Sequence, residues 1–344
     1  MAFQILWFIL WGLLWAVYFM LDGFDFGAGI LYRFVARNER EKSAVRRSIA
    51  PVWDGNEVWL ITAGGATFAA FPSAYASMFS YLYSALLIIL FALIFRGVAI
   101  EFRAKAASSA WGRCWDLAFF LGSLVPALLF GVAFGNIFRG LPIDAEGYHG
   151  TLISLLNPYA LWTGVLFVLL FLVHGALWLG LKSGGELEAR ALRFAKSGWN
   201  FLLAAAVVFL VWTVPATRLE ENYLRRSYWL VVPLLAVASL LLIRLWLARR
   251  KTGAAFYASS ATIGLVTFTG IIGLFPNLIP SRLDPSYSLT AFNASSSPYT
   301  LKIMTVVALV FVPVVIAYQV WIYRVFRHKV DAGGPAESPA YSSF

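Results

Sequence analysis

Nine apolar stretches, each long enough to cross a lipid bilayer as a helix, dominate this chain. They run over roughly 4–32, 55–76, 79–101, 115–137, 158–181, 198–217, 227–247, 257–279 and 299–323. About 20 mainly apolar residues make a helical span. Inside lipid every backbone N–H and C=O must be paired within the protein, and runs of this length do so as helices. Composition agrees. Of the 344 residues, 60% are hydrophobic and only 13% charged, against about 25% charged in a soluble domain. That leaves too little polar surface for a soluble globular enzyme, a disordered chain or a nucleic-acid-binding module. The expected fold class is all-α, a polytopic membrane protein in a single transmembrane domain over 1–329. Residues 330–344, rich in Gly, Pro and Ser, are expected to form a short disordered cytoplasmic tail. The first stretch has no basic residues ahead of it and reads as a retained helix rather than a cleaved signal peptide.

The net charge of +10 is a topology signal. Of the 27 basic residues, 20 fall in the segment 33–47, the loops after spans 3 and 5, the end of span 7 with its loop, and the C-terminal segment after span 9. The alternate loops hold Arg139, Arg218, Arg225, Arg226 and Arg282, and, apart from Arg244 at the cytoplasmic end of the seventh, only Arg96 and Lys302 lie within spans. By the positive-inside rule the N-terminus is outside and the C-terminus cytoplasmic. An odd span count follows, and nine satisfies it. Many of the 14 Trp, such as Trp111, Trp115, Trp229 and Trp321, read as membrane-interface anchors.

Ionisable residues inside a bilayer are costly and point to function. Asp22 and Asp25 share one face of the first span. Asp54 and Glu57 open the second, and Arg96, Glu101 and Arg103 close the third. Together they make a candidate cluster on the cytoplasmic half, surrounded by Gly23, Gly27, Gly29, Gly55, Gly64, Gly65 and Gly97, small residues that let helices approach closely. Coupled acids of this kind suit a proton relay, with Asp22, Asp25, Asp54, Glu57 and Glu101 as path candidates and Arg96 and Arg103 as charge partners. Structural readings stand beside this one. Asp54 and Glu57 have capping-box spacing, Arg96 can serve as a packing ion pair, and Arg103 can be a topology charge. His174, inside the fifth span, is a candidate haem ligand or a hydrogen-bonded core histidine. His149 and His328 lie in an outer loop and the tail. No histidine cluster is present for copper or di-iron, no metal site is expected, and Cys114 alone makes no disulfide or Cys-ligated centre. Walker A, HExxH and GxSxG motifs are missing from the sequence, which argues against ATPase or hydrolase chemistry.

Four segments together carry a family resemblance: LDGFDFGAGIL (21–31), IAPVWDGNEVWLITAGGATFAAFP (49–72), FRGVAIEFR (95–103) and GVAFGN (131–136). In this combination and order the chain resembles subunit II of cytochrome bd-type quinol oxidases, the CydB family. The resemblance is strongest over 20–136. It implies two four-helix bundles plus one peripheral helix, nine spans in all. It also implies pairing with subunit I (CydA), which holds two haems b and haem d, in a complex that oxidises membrane quinol and reduces dioxygen to water, supporting proton-motive force. No cofactor is expected on this chain itself. A structural quinone or lipid, and an additional small single-span subunit, are left open. By motif, the DGFD acids are Asp22 and Asp25 and the WDGN acid is Asp54, which the resemblance places on a proton-uptake path from the cytoplasm along the subunit interface. The implied location is a bacterial or archaeal plasma (inner) membrane, with lipids as neighbours and no nucleic-acid partner. Two alternatives remain at this point: a proton-coupled secondary transporter, which would need paired broken helices, and a purely structural partner whose acids only cap or pair.

Overall fold

A computed structural model describes residues 1–330; the expected tail lies, from 331 on, outside the described residues. The chain folds into helices α1 (Ala2–Val35), α2 (Glu39–Ile49), α3 (Trp53–Ala70), α4 (Pro72–Tyr81), α5 (Tyr83–Phe102), α6 (Ser109–Arg139), α7 (Leu152–Leu155), α8 (Pro158–Lys182), α9 (Gly185–Ala216), α10 (Glu220–Arg225), α11 (Val231–Ala248), α12 (Thr252–Leu274) and α13 (Pro298–Val325). Two small hairpins, β1 (Ile143–Asp144) with β2 (Gly147–Tyr148) and β3 (Asn277–Ile279) with β4 (Leu289–Thr290), fold the long connections after α6 and α12.

Among the described residues eight helices are long and apolar enough to cross a membrane: α1, α5, α6, α8, α9, α11, α12 and α13. The expected second span, 55–76, is divided between α3 and α4. Pro72 lacks an N–H and crowds the residue before it, so Phe71 leaves helical geometry (φ −135°, ψ 62°) and Pro72 opens α4. A polar first turn, Trp53–Glu57, further lowers the apolar character of α3. The loop expected before the sixth span is also different. After the break at Ser183 and Gly184, α9 starts at Gly185, and its first turns carry Glu186, Glu188 and Arg190 on helix.

α1 lies at the centre, packed on α3, α6, α8 and α12, while α8 is packed on α6, α9 and α12. Glycine sets how close these axes come. A Cβ on Gly27 would stand 1.9 Å from Phe171 O and 2.8 Å from Gly175 Cα, and one on Gly175 would stand 2.4 Å from the Gly27 carbonyl carbon. The two backbones therefore touch, as small residues allow in lipid, where helix association rests on packing rather than on expulsion of water. Gly131 and Gly164 give α6 and α8 the same proximity. Around this contact Phe19, Phe130, Phe134, Phe167 and Phe171 meet mostly edge to face. Several tryptophans are interior, not interfacial. Trp11 is buried, Phe24 and Trp178 stack at 4.1 Å, and Trp7 and Trp199 donate their indole N–H to the Leu301 and Leu240 carbonyls.

α13 is attached at its ends and buries little between them; Leu301 is its one buried residue. Trp7 Nε1 donates to Leu301 O and Thr305 Oγ1, both at 3.1 Å, at the first end. At the other end Lys182 Nζ donates to Phe326 O and to His328 O, closing carbonyls left unpaired by the helix terminus.

Gly27→Val inserts a Cβ and two methyls into the backbone contact of α1 and α8 and is expected to destabilise the fold by about 3 kcal/mol or more. Gly253→Ala, whose added Cβ would meet only Leu181 Cδ2 at 4.0 Å, is expected to be neutral. Yield of monodisperse protein in detergent and its thermal midpoint check both.

Candidate functional site

Arg96 decides the geometry of the site. It sits on α5, a helix whose other large side chains are mostly exposed, yet its own side chain has no exposure at all. Gly122 of α6 makes room for it: a Cβ there would stand 2.8 Å from both Arg96 N and Arg96 Cβ. From α5 the guanidinium reaches over the Phe26 ring, 4.3 Å from its centroid, a cation–π contact in a desolvated setting. NH2 then donates to Asp22 Oδ1 at 2.7 Å and to Glu57 Oε1. One cation thus joins α1, α3 and α5.

Asp25 lies one helical turn from Asp22 on α1, and both are fully buried. Asp25 Oδ2 accepts from Asn56 Nδ2 at 2.8 Å. Asp25 Oδ1 and Asp22 Oδ2 have no hydrogen-bond partner among the described residues. Glu57 retains 16% side-chain exposure, and Asp54, a turn earlier on α3, is exposed. The acids therefore step from the surface into the interior: Asp54, Glu57, Asp22, Asp25. No capping box forms at α3. The helix begins after Val52 with no side-chain cap, so Asp54 falls inside the first turn and Glu57 is drawn to Arg96.

Glu101 and Arg103 are not part of this group. Glu101 is exposed. Arg103 belongs to a second network built on Asp116 of α6, whose carboxylate accepts from Tyr32 Oη (2.5 Å), Arg103 Nε (2.6 Å) and Lys42 Nζ (2.8 Å). Arg46 NH1 donates to Tyr32 Oη, and Arg190 binds Glu41 and the Val35 carbonyl. These bonds hold the amphipathic α2 across the ends of α1, α6 and α9. Sequence reading missed Asp116 because it stands at the very edge of its expected span, where an acid looks like a loop residue. It also missed Asn56, Gln319 and Tyr323, which are uncharged at neutral pH. A lone amide inside the apolar run 299–323 is the signal that could have found Gln319.

His174 is not free to ligate a haem. His174, the buried histidine, has both ring nitrogens engaged, Nδ1 with Ser259 Oγ (3.1 Å) and Nε2 with Met20 O (3.0 Å), and its ring stacks on Phe256 at 4.5 Å. Because a carbonyl only accepts, Nε2 carries the proton and Nδ1 receives the serine hydroxyl. His149 pairs with Asp144 at 2.7 Å, and the bond to that carboxylate pushes the imidazole up from its ordinary value. No group of three His, Cys, Asp or Glu able to hold a metal occurs among the described residues.

Away from the acids, α6, α8, α9, α11 and α12 line a partly open cavity of about 340 Å³. Its wall is apolar, with Phe138, Leu170, Leu202, Phe209, Leu240 and Val266 among the lining residues. Glu220 and Tyr223 of α10 also line it.

This fold of long apolar helices with a buried carboxylate–arginine cluster defines a multi-pass membrane protein. Residues 3–326 match the family described as cytochrome bd terminal oxidase subunit II. The chain is 39% identical over 333 residues to cytochrome bd ubiquinol oxidase subunit 2 of Bacillus subtilis (strain 168), covering 96% of this chain and 97% of the relative. It is 37% identical over 352 residues to cytochrome bd-I ubiquinol oxidase subunit 2 of Escherichia coli (strain K12), covering 93% of each. Its fold is similar to a chain in the structure of bd oxidase from Geobacillus thermodenitrificans, with a TM-score of 0.78 at 18% identity, covering 95% of this chain and 99% of that one. The chain belongs to the cytochrome bd terminal oxidase subunit II family. It is a subunit of a quinol:oxygen oxidoreductase complex, which implies a partner subunit.

Removing Arg96 while leaving Asp22 strands a buried carboxylate, at a cost of about 3–5 kcal/mol. Arg96→Met is expected to lower the thermal midpoint of the purified complex sharply. Arg96→Met combined with Asp22→Asn is expected to recover part of the loss, which a double-mutant cycle on those midpoints measures.

Proposed function

We propose that this chain, as subunit II, leads protons from the cytoplasm toward the site of oxygen reduction, and scaffolds a haem-bearing subunit I. The observation that carries the reading is the inward sequence of acids, from exposed Asp54 through half-buried Glu57 to fully buried Asp22 and Asp25. One guanidinium balances one of three inner carboxylates. Further negative charge at that depth is costly, so protons serve as the remaining counter-charges. Reduction of one dioxygen to two waters consumes four electrons and four protons, and the electrons come from two quinols. Asp54 would take protons from water, Glu57 and Asp22 would pass them past Arg96, and Asp25 would hold them at the inner end. Arg96 itself stays charged and fixes the carboxylates in place.

In this reading α3 and α4 together make a ninth crossing, the N-terminus is outside and the C-terminus cytoplasmic, in accord with the alternating basic loops. The membrane is a bacterial or archaeal plasma membrane. Subunit I docks along α3. Gly64 and Gly65 have nothing within 4 Å of where a Cβ would stand, and such an open stretch of helix suits a closely packed partner helix. The haems reside in the partner, in keeping with the occupied nitrogens of His174. The apolar cavity beside α9 and α11 holds a lipid tail or the isoprenoid chain of a quinone, which its size and lining suit.

Asp25→Asn and Asp54→Asn, made in the complex with subunit I, are expected to slow oxygen reduction by about tenfold or more while the haem spectrum is kept. Unchanged turnover in both would remove the proton path. Loss of complex without a turnover defect in what survives would leave scaffolding alone. For the cavity, Ala206→Trp is expected to reduce the lipid or quinone recovered by organic extraction and mass spectrometry, with oxygen reduction retained.

A further inference from the structure

Asn56 uses every hydrogen-bonding position it has. Its Nδ2 donates to Asp25 Oδ2 (2.8 Å) and to Leu21 O (3.2 Å). Its Oδ1 accepts from Gln319 Nε2 (3.0 Å) and from Tyr323 Oη (2.9 Å), both on α13. Gln319 in turn accepts on Oε1 from Trp59 Nε1 at 2.6 Å. An amide can turn over by 180°, but an indole N–H can only donate and a backbone carbonyl can only accept. Trp59 therefore fixes Gln319 with its oxygen toward the indole and its NH2 toward Asn56. That NH2 fixes Asn56 with its oxygen toward α13 and its own NH2 toward Asp25. The Leu21 carbonyl, on the same side of Asn56 as Asp25, demands the same orientation. The bonds thus run in one direction, from Trp59 through Gln319 and Asn56 to Asp25.

A permanent donor against Asp25 Oδ2 makes that oxygen an acceptor whether Asp25 is charged or neutral. The other oxygen, Oδ1, is fully buried and has no partner among the described residues. We infer that Asn56, its amide oriented by the Leu21 carbonyl and by the Trp59–Gln319 pair, decides which oxygen of Asp25 carries its proton: Oδ2 stays the carbonyl oxygen and the proton rides on Oδ1. Gln319 and Trp59 are then positioning residues, and α13, otherwise so little buried, has a part in the acid cluster. The inference rests on the reading of Asp25 as a proton carrier, and it assigns that carrier a geometry.

Redox-difference infrared spectroscopy of the whole complex tests it. The carboxyl C=O band lost in Asp25→Asn is that of Asp25. In the parent it is expected at the lowered frequency of a hydrogen-bonded carbonyl. Asn56→Ala removes the donor and is expected to raise the frequency most. Gln319→Leu and Trp59→Phe are expected to raise it less, because Tyr323 and Leu21 still hold Asn56. Should the Leu variant fail to assemble, Gln319→Glu keeps the Trp59 bond and the seat of α13 while losing the donor to Asn56, and the same shift is expected. Turnover is expected to fall about tenfold in Asn56→Ala and about threefold in Gln319→Leu, with KM for quinol unchanged. Thr305→Val, which loosens α13 at its opposite end, is expected to leave the band where it is. A parent without an Asp25 carboxyl band, variants whose band stays put, or a Thr305→Val shift equal to that of Gln319→Leu would each overturn the inference. An unchanged turnover in Asp25→Asn together with the expected band shifts would instead end the proton-path reading and leave the placement of the proton standing.

Discussion

A guanidinium sealed from water has to find its counter-charge inside the protein, and the arrangement of this chain around Arg96 follows from that demand. The charge stands on α5, a helix that packs chiefly on α6. Its partners come from α1 and α3. An uncompensated charge in a low-dielectric interior costs several kcal/mol, so these helices cannot drift apart without stranding either the cation or an acid. In lipid, where apolar surface does not drive helices together, such a bond carries more of the burden of choosing neighbours. The glycine contacts do the rest: they bring α1 against α8 until the backbones touch, and Gly122 lets α6 lie against the root of Arg96.

The same cluster gives the subunit its concentration of buried charge. It is one of two networks. The inner one, around Arg96, gathers Asp22, Asp25 and Glu57, the acids of the proposed proton path. The outer one, around Asp116, saturates its carboxylate with Tyr32, Arg103 and Lys42 and clamps α2 in place. The contrast is one of satisfaction: Asp116 has three strong donors, whereas Asp22 and Asp25 each keep an oxygen with no partner among the described residues. A fully satisfied carboxylate is a structural fixture. One with an open oxygen can take up a proton and release it.

Much of this is legible in the amino-acid sequence. Apolar runs of 20 residues or more gave the helices, and acids within them gave Asp22, Asp25 and Glu57. The misreadings have local causes. Pro72 divides the second expected span because a ring in place of an N–H interrupts the helix. A loop was expected over 182–197 because Glu186, Glu188 and Arg190 look like loop charges, though they decorate the first turns of α9. Arg103 and Glu101 were grouped with the acids by sequence proximity to Arg96. Seven residues along a helix, however, is two turns and about 10 Å, enough to hand Arg103 to Asp116.

What the sequence determined by itself is the solvent of this protein and the type of its secondary structure, because those depend on the sum of side-chain hydropathies along each stretch. It also named most of the charges that need an explanation, because a buried charge is conspicuous in an apolar run. Only the tertiary structure decided who answers each charge. Asn56, Gln319, Trp59 and Tyr323 are uncharged and lie as many as 267 residues apart. A hydrogen bond depends on positions to within tenths of an ångström and on which end of an amide faces its neighbour. Neither is encoded in residue type or spacing until helices α1, α3 and α13 are packed together.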